Sequence, residues 1–262
     1  MPTTIAVLSQ KGGTGKTTTV RTLTDVFRRA GLSVLAVDLD PQANLSDYFG
    51  LDPELTPTIA DVLAGNATIR QADHGGIVPA AIGLAEAELT LAGKLGRELT
   101  LRRALAALAD QYELILIDCP PALGLLTVNA LVAADQAVIS AEAQYFSLQG
   151  VQQAVEMVDL ARETLNPRLE LLAILANIAD LRTRHSREAI ALLRGHFGDR
   201  VLATAIRQSI AYAESAERGV SILDHRPALG ADYLAVAGEL LERLGLAQAR
   251  QRLGALGSQA AP

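Results

Sequence analysis

The chain has 262 residues, half of them hydrophobic, and a formal net charge of −6 from 23 Lys and Arg against 29 Asp and Glu. That length suits one sizeable domain, and with no Trp and few aromatics its core must be built from Leu, Ala, Val and Ile. The single cysteine, Cys119, excludes a disulfide framework within the chain and argues against a bound iron–sulfur cluster, while the acidic balance disfavours constitutive binding to a polyanion.

Apolar runs at 4–9, 33–38, 114–118, 136–141, 169–176 and 201–206 read as strands, with helical stretches between them. The alternation predicts an α/β fold: a doubly wound, mainly parallel sheet with helices on both faces. A single domain is expected over 1–253. The stretch 254–262, rich in small residues, is expected to be a flexible tail. The N-terminus enters the first strand at once, and no apolar run reaches the roughly 20 residues that span a bilayer, so a cytoplasmic protein is expected.

The first strand, Ile5 to Ser9, runs into Lys11-Gly12-Gly13-Thr14-Gly15-Lys16-Thr17-Thr18-Thr19. Glycines here let successive backbone N–H groups turn toward anionic oxygens, and the following helix adds its positive end. In such a loop Lys16 reaches the β- and γ-phosphates, and the Thr17 hydroxyl ligates Mg²⁺. Thr18 is placed for the α-phosphate. Thr22, Leu23, Val26 and Phe27 give the helix its apolar face, and Gly31 ends it. Gln10 stands where an ordinary phosphate loop has its first Gly, and beside it Lys11 brings a second cation to the loop's mouth. That second cation suggests more than simple nucleotide binding.

The second strand delivers Asp38 and Asp40, within Val34-Leu35-Ala36-Val37-Asp38-Leu39-Asp40-Pro41. Ligands of open parallel sheets bind at the strands' carboxyl ends. Residues two apart share a face while a strand continues, so both carboxylates are expected at one site. Asp40 is assigned to the attacking water and Asp38 to support of Mg²⁺. A third run, Leu114-Ile115-Leu116-Ile117, delivers Asp118, the expected second anchor of Mg²⁺ through water. Pro120 and Pro121 stiffen the turn beyond it.

Together these blocks, KGGTGKTTT, VDLDPQANLS and LILIDCPPALGLLTVNAL, resemble the ParA/MinD group of deviant-Walker ATPases, which have the P-loop NTPase fold. Three further stretches resemble the ParA branch: Ile77–Ala80 with Leu84–Leu89, Asp180–Arg184, and Ile206–Glu214. The resemblance implies a slow Mg²⁺-dependent ATPase that forms a homodimer with ATP and segregates chromosomal or plasmid DNA. It makes Lys11 a signature lysine that crosses to the partner's nucleotide. It places Asn177, Ile206 and Arg207 near the base. It also implies a ParB-type centromere-binding protein that stimulates hydrolysis. Ile206 departs from the family's usual Pro, and Glu142-Ala143-Gln144-Tyr145 departs from its Gln-x-Glu-Tyr order.

Residues 182–226 hold eight Arg against five acidic side chains. Dimerisation doubles such a patch, and affinity for duplex DNA without sequence preference rises steeply with each phosphate contact. Arg184, Arg187 and Arg207 are the candidate contacts, and nucleoid association follows from them. The loop starts too early in the chain for a preceding helix-turn-helix, so operator recognition is not expected. The alternatives are a MinD-like membrane ATPase, a P-loop ligase or kinase on a small metabolite, and an ATPase that positions some other cargo. The stretch 246–257 has two Arg but two Gly and no Phe or Trp, a weak membrane helix, so no stable membrane association is expected.

Overall fold

The computed structural model describes residues 2–144 and 147–259. In chain order its first half comprises β1 (Thr3–Leu8), α1 (Lys16–Arg29), β2 (Val34–Asp38), α2 (Asn44–Tyr48), α3 (Ile59–Ala64), β3 (Ile77–Val78), α4 (Leu84–Ala92), α5 (Thr100–Leu105) and β4 (Leu114–Asp118). The second half comprises α6 (Leu125–Ala133), β5 (Gln136–Glu142), α7 (Ser147–Thr164), β6 (Glu170–Asn177), α8 (Arg184–Phe197), α9 (Ala211–Glu217), α10 (Ile222–His225), α11 (Pro227–Arg243) and α12 (Ala247–Gln259).

The strands form one parallel sheet in the order β3-β2-β4-β1-β5-β6. A parallel sheet needs cover on both faces, and the period of two along β1 supplies it. Ile5 and Val7 pack in one core with Leu23 and Phe27 of α1 and Tyr233, Val236 and Leu240 of α11. Ala6 and Leu8 pack in the opposite core with Leu63 of α3, Leu84 of α4, Leu126 of α6 and Val158 of α7. β1 lies between β4 and β5, where the winding of the chain changes direction. The crevice beyond β1's carboxyl end is therefore the switch point at which such sheets bind ligands.

Two expectations need correction. The run 201–206 is not a sheet strand: it lies beside β6 with one isolated bridge, Ile174 with Val201, and scattered amide contacts rather than a continuous ladder, and a second isolated bridge, Ala179 with Arg207, falls just beyond both. The amides of Ala203 and Thr204, which a ladder would need, donate instead to the Glu239 carboxylate of α11 at 2.7 and 2.8 Å. Conversely, the short edge strand β3 has no apolar run to announce it, because it is two residues long between Gly75-Gly76 and Pro79. The last helix, α12, runs on to Gln259, and its Leu253 is buried against the α1–α11 core. Tyr145 and residues 260–262 lie outside the described residues.

Candidate nucleotide site

The loop between β1 and α1 has the backbone that an anion cradle requires. Gly13 and Gly15 have φ of +75° and +78°, a region that costs other residues strain. Gly15 is the N-cap of α1, and a Cβ there would stand 2.6 Å from Asn177 Nδ2. Beneath the loop, Asn177 Nδ2 donates to Gly15 O at 3.4 Å, Thr19 Oγ1 at 3.1 Å and Ser140 Oγ at 3.2 Å. Its Oδ1 accepts from the amide of Ile178, whose φ of +52° is unusual for a β-branched residue. Asn177 thus ties the loop to β5 and β6. Lys16 is buried, and its Nζ donates to Lys11 O at 3.4 Å.

Asp38 and Asp118 are register partners at the ends of β2 and β4, and both are 0% exposed. Asp38 Oδ2 accepts from the Ser46 amide at 2.9 Å and hydroxyl at 2.7 Å, and its Oδ1 from the Asp40 amide at 3.1 Å. Burial nevertheless pushes its carboxyl up to about 6. Neither carboxylate oxygen of Asp118 has a hydrogen-bond partner among the described residues. Burial, and next the charge of Asp38, raise it well above the carboxylate range; the Thr17 hydroxyl and the Lys16 ammonium nearby pull the other way. Two buried carboxylates, one of them orphaned, call for a cation. Among the described residues no three His, Cys, Asp or Glu side chains are arranged to hold a metal unaided. A cation at Thr17 and Asp118 would therefore complete its shell with water and phosphate oxygens, as Mg²⁺ does.

Asp40 lies two residues beyond the end of β2, close enough for its charge to act on both Asp38 and Asp118. Its Oδ1 accepts from the Gln42 amide at 3.0 Å, and the turn runs on through Ala43 at φ +54°. Asp40 lines a cleft of about 910 Å³ together with Gly12–Thr18, Pro121, Asn177, Ile178 and 207–210. Ile206, expected at the base, is 1% exposed in the core below, so the cleft wall starts at the next residue. Arg207 does line the cleft, where its Nε donates to Asp232 Oδ2 at 2.8 Å. The buried Tyr212 hydroxyl, also in this wall, has no hydrogen-bond partner among the described residues. Lys11 stands apart from the other loop residues: its Nζ lies 3.1 Å from Glu142 Oε2, with the side chain 70% exposed.

A family model described as an AAA domain matches residues 2–171. The sporulation initiation inhibitor protein Soj of Bacillus subtilis is 36% identical over 245 residues, covering 90% of this chain and 97% of Soj. The chromosome partitioning protein ParA of Myxococcus xanthus is 36% identical over 248 residues, 91% of this chain and 88% of that one. The chain belongs to the ParA/Soj family of partition ATPases. Its fold also matches the crystal structure of a Mycobacterium smegmatis protein named cobyrinic acid a,c-diamide synthase, with bound ADP and magnesium. That match has a TM-score of 0.77 and 35% identity over 87% of this chain and 96% of the other.

Outside the phosphate loop, the arginines that the sequence offers as DNA contacts are placed unevenly. Arg184 and Arg187 are both exposed on the first turns of α8. Arg184 pairs with Glu188 at 2.6 Å, and Arg182 with Asp180 at 2.9 Å, while Arg187 forms no ion pair among the described residues. Arg207 lines the cleft and pairs with Asp232. No described helix is long and apolar enough to cross a membrane.

Several residues of the ParA/Soj site carry no signal in the sequence. Ser46, eight residues past Asp38, hydrogen-bonds it from α2. Thr19 Oγ1 donates to Gly15 O at 2.8 Å and meets the hydroxyl of fully buried Tyr233 at 3.2 Å. No spacing rule links Tyr233 to a loop more than 200 positions earlier; only the packing of α11 on α1 does.

Proposed function

We propose that this chain is a ParA-type ATPase for DNA segregation, which binds ATP and Mg²⁺ at Gly12–Thr18 and acts on DNA as a face-to-face homodimer. The observation that carries the reading is the orphaned Asp118 carboxylate beside Asp38, under a glycine cradle with a buried lysine. Backbone amides of Gly12–Gly15 and the Lys16 ammonium would hold phosphate oxygens. Thr18 would hold the α-phosphate. Thr17, with Asp118 and Asp38 behind it, would hold the cation, which when bound supplies neutralisation of phosphate charge. Asp40, in the cleft wall, orients the attacking water. Arg207 and the 207–210 loop border the base.

In this reading Lys11 leaves Glu142 and crosses to the partner's phosphates when two copies meet, so its charge counts only in the dimer. The paired surfaces bring two α8 patches together, with Arg184 and Arg187 as contacts to duplex DNA, and hydrolysis disperses them. A ParB-type centromere-binding protein is the proposed stimulating partner, and the cytoplasm and nucleoid the proposed location.

The test is binding to random-sequence duplex DNA without nucleotide, with ADP, and with ATP and Mg²⁺, titrated with salt, alongside anionic liposomes. ATP-dependent, salt-sensitive DNA binding without liposome binding is the expected result. Liposome binding would favour a MinD-like role. Binding to neither would turn attention to another cargo or to small-molecule chemistry, the kind that the name of the Mycobacterium smegmatis protein denotes.

A further inference from the structure

The stretch Leu84–Leu89 has no place in the site so far. We propose that Glu88, reaching from α4 to the N-terminus of α6, is a positioning residue for hydrolysis, fixing the turn that follows Asp118. The inference rests on the ATPase reading above.

α6 begins after Gly124, whose backbone is extended, and it has no capping side chain of its own. Its first-turn amides need acceptors from elsewhere. Glu88 Oε1 accepts from the Leu126 amide at 3.3 Å. A Cβ on Gly124 would approach that same oxygen to 3.3 Å, so the glycine leaves room for the carboxylate. A carboxylate is also the favoured charge at a helix N-terminus.

The turn from Cys119 to Gly124 is held at both ends. At its start, the Cys119 amide donates to Val7 O of β1 at 3.1 Å. In its middle, Thr127 Oγ1 donates to Ala122 O at 2.6 Å. At its exit stands Glu88, which belongs to the outer helical layer. Between these anchors Pro121 lines the nucleotide cleft, and its Cβ would lie 3.8 Å from a Cβ placed on Gly12. Nucleotide affinity comes mainly from the glycine loop and Lys16. Alignment of the reacting groups depends on walls such as this turn, and misplacement by about 1 Å costs rate more than binding.

The experiment compares Glu88→Ala and Glu88→Gln with the wild-type chain in steady-state ATP turnover, alongside amide hydrogen exchange across 119–126. Glu88→Ala is expected to lower kcat about tenfold with the KM for ATP within about twofold, and to speed exchange at Leu126. Glu88→Gln keeps an acceptor oxygen and is expected to recover kcat to within about threefold of wild type. An unchanged kcat in Glu88→Ala, a KM that rises as far as kcat falls, or no rescue by Gln would overturn the proposal. If wild-type turnover does not exceed that of Lys16→Ala, the ATPase reading itself falls. Exchange at Leu126 then decides the contact, and an unchanged rate would overturn it.

Discussion

Lys11 Nζ rests 3.1 Å from Glu142 Oε2, on the outside of a loop whose other lysine, Lys16, is buried. Glu142 is held in turn through Oε1, which accepts from Gln144 Nε2 at 2.6 Å. The two lysines of one loop therefore sit in different settings: Lys16 is enclosed, whereas Lys11 lies exposed against the end of β5. Such an exposed pair contributes at most ~1 kcal/mol.

Freeing Lys11 should ease dimerisation. Glu142→Gln is expected to shift ATP-dependent dimer formation to a protein concentration lower by up to ~fivefold, the equivalent of ~1 kcal/mol. Sedimentation velocity across a dilution series reads this directly. A dimer that forms less readily in this variant would mean that Glu142 belongs to the interface rather than holding the lysine back.

The buried carboxylates make a prediction about pH. A group whose pKa is raised in the fold favours the fold fully below its unfolded value, about 4 for Asp, and that contribution is lost as pH rises through the folded value. For Asp38 the window closes at about 6, and for Asp118 it extends higher. Asp118→Asn is therefore expected to flatten the fall in nucleotide-free stability between pH 5 and pH 8. At pH 8 its melting temperature should exceed that of wild type by roughly 2–4 °C for each ~1 kcal/mol relieved. The same variant should lose most of the stabilisation by Mg²⁺ and ATP. Parallel melting curves for the two proteins would remove Asp118 from the cation site.

Gly15→Ala combines a left-handed backbone with a 2.6 Å approach to Asn177 Nδ2. Strain of that kind costs on the order of 1–3 kcal/mol, before any loss of nucleotide affinity. The coupling is testable by a double-mutant cycle in urea. Asn177→Ala should cost less in the Gly15→Ala background than in wild type, because it also removes the clash. Strict additivity would show that the two residues do not touch.

Arg187, exposed and without an ion pair among the described residues, is the better probe of α8. Arg187→Glu should weaken duplex binding and reduce the slope of log affinity against log salt by about 0.9 for each phosphate that is no longer neutralised. Arg184→Glu disturbs the Glu188 pair as well and is less easily interpreted. A slope unchanged over several salt concentrations would exclude Arg187 as a DNA-binding residue.

The phosphate loop and the carboxylates of β2 and β4 are legible in the sequence because each is dictated locally, by glycine spacing or by an apolar run ending in Asp. Helix and strand alternation likewise gives away the two-sided sheet. What escapes depends on partners distant in the chain. The run 201–206 has strand chemistry, but Glu239 takes two of its amides. Ile206 follows the same apolar logic into the core, and Arg207 takes its place in the cleft wall. Asn177 ends a strand, as expected, and its amide nitrogen meets Thr19 and Ser140, partners that no local pattern names. The chemistry of Asp38 points to a ligand, and the fold also makes it the acceptor that secures α2 through Ser46.

The Glu239 contact has a consequence for crowding. β6 is an edge of the sheet, and an open parallel edge is a template on which another chain can pair. Here the segment after α8 lies along it, with Leu202 donating to Ile174 O and Ile206 to Ala176 O, both at 2.9 Å. Arg194 and Arg243 clamp the same stretch through the carbonyls of Ala203 and Asp199, each at 2.7 Å. The opposite edge, β3, is two residues long. Where copies are crowded together, neither margin of this sheet, among the described residues, offers a long open strand for another chain to pair on.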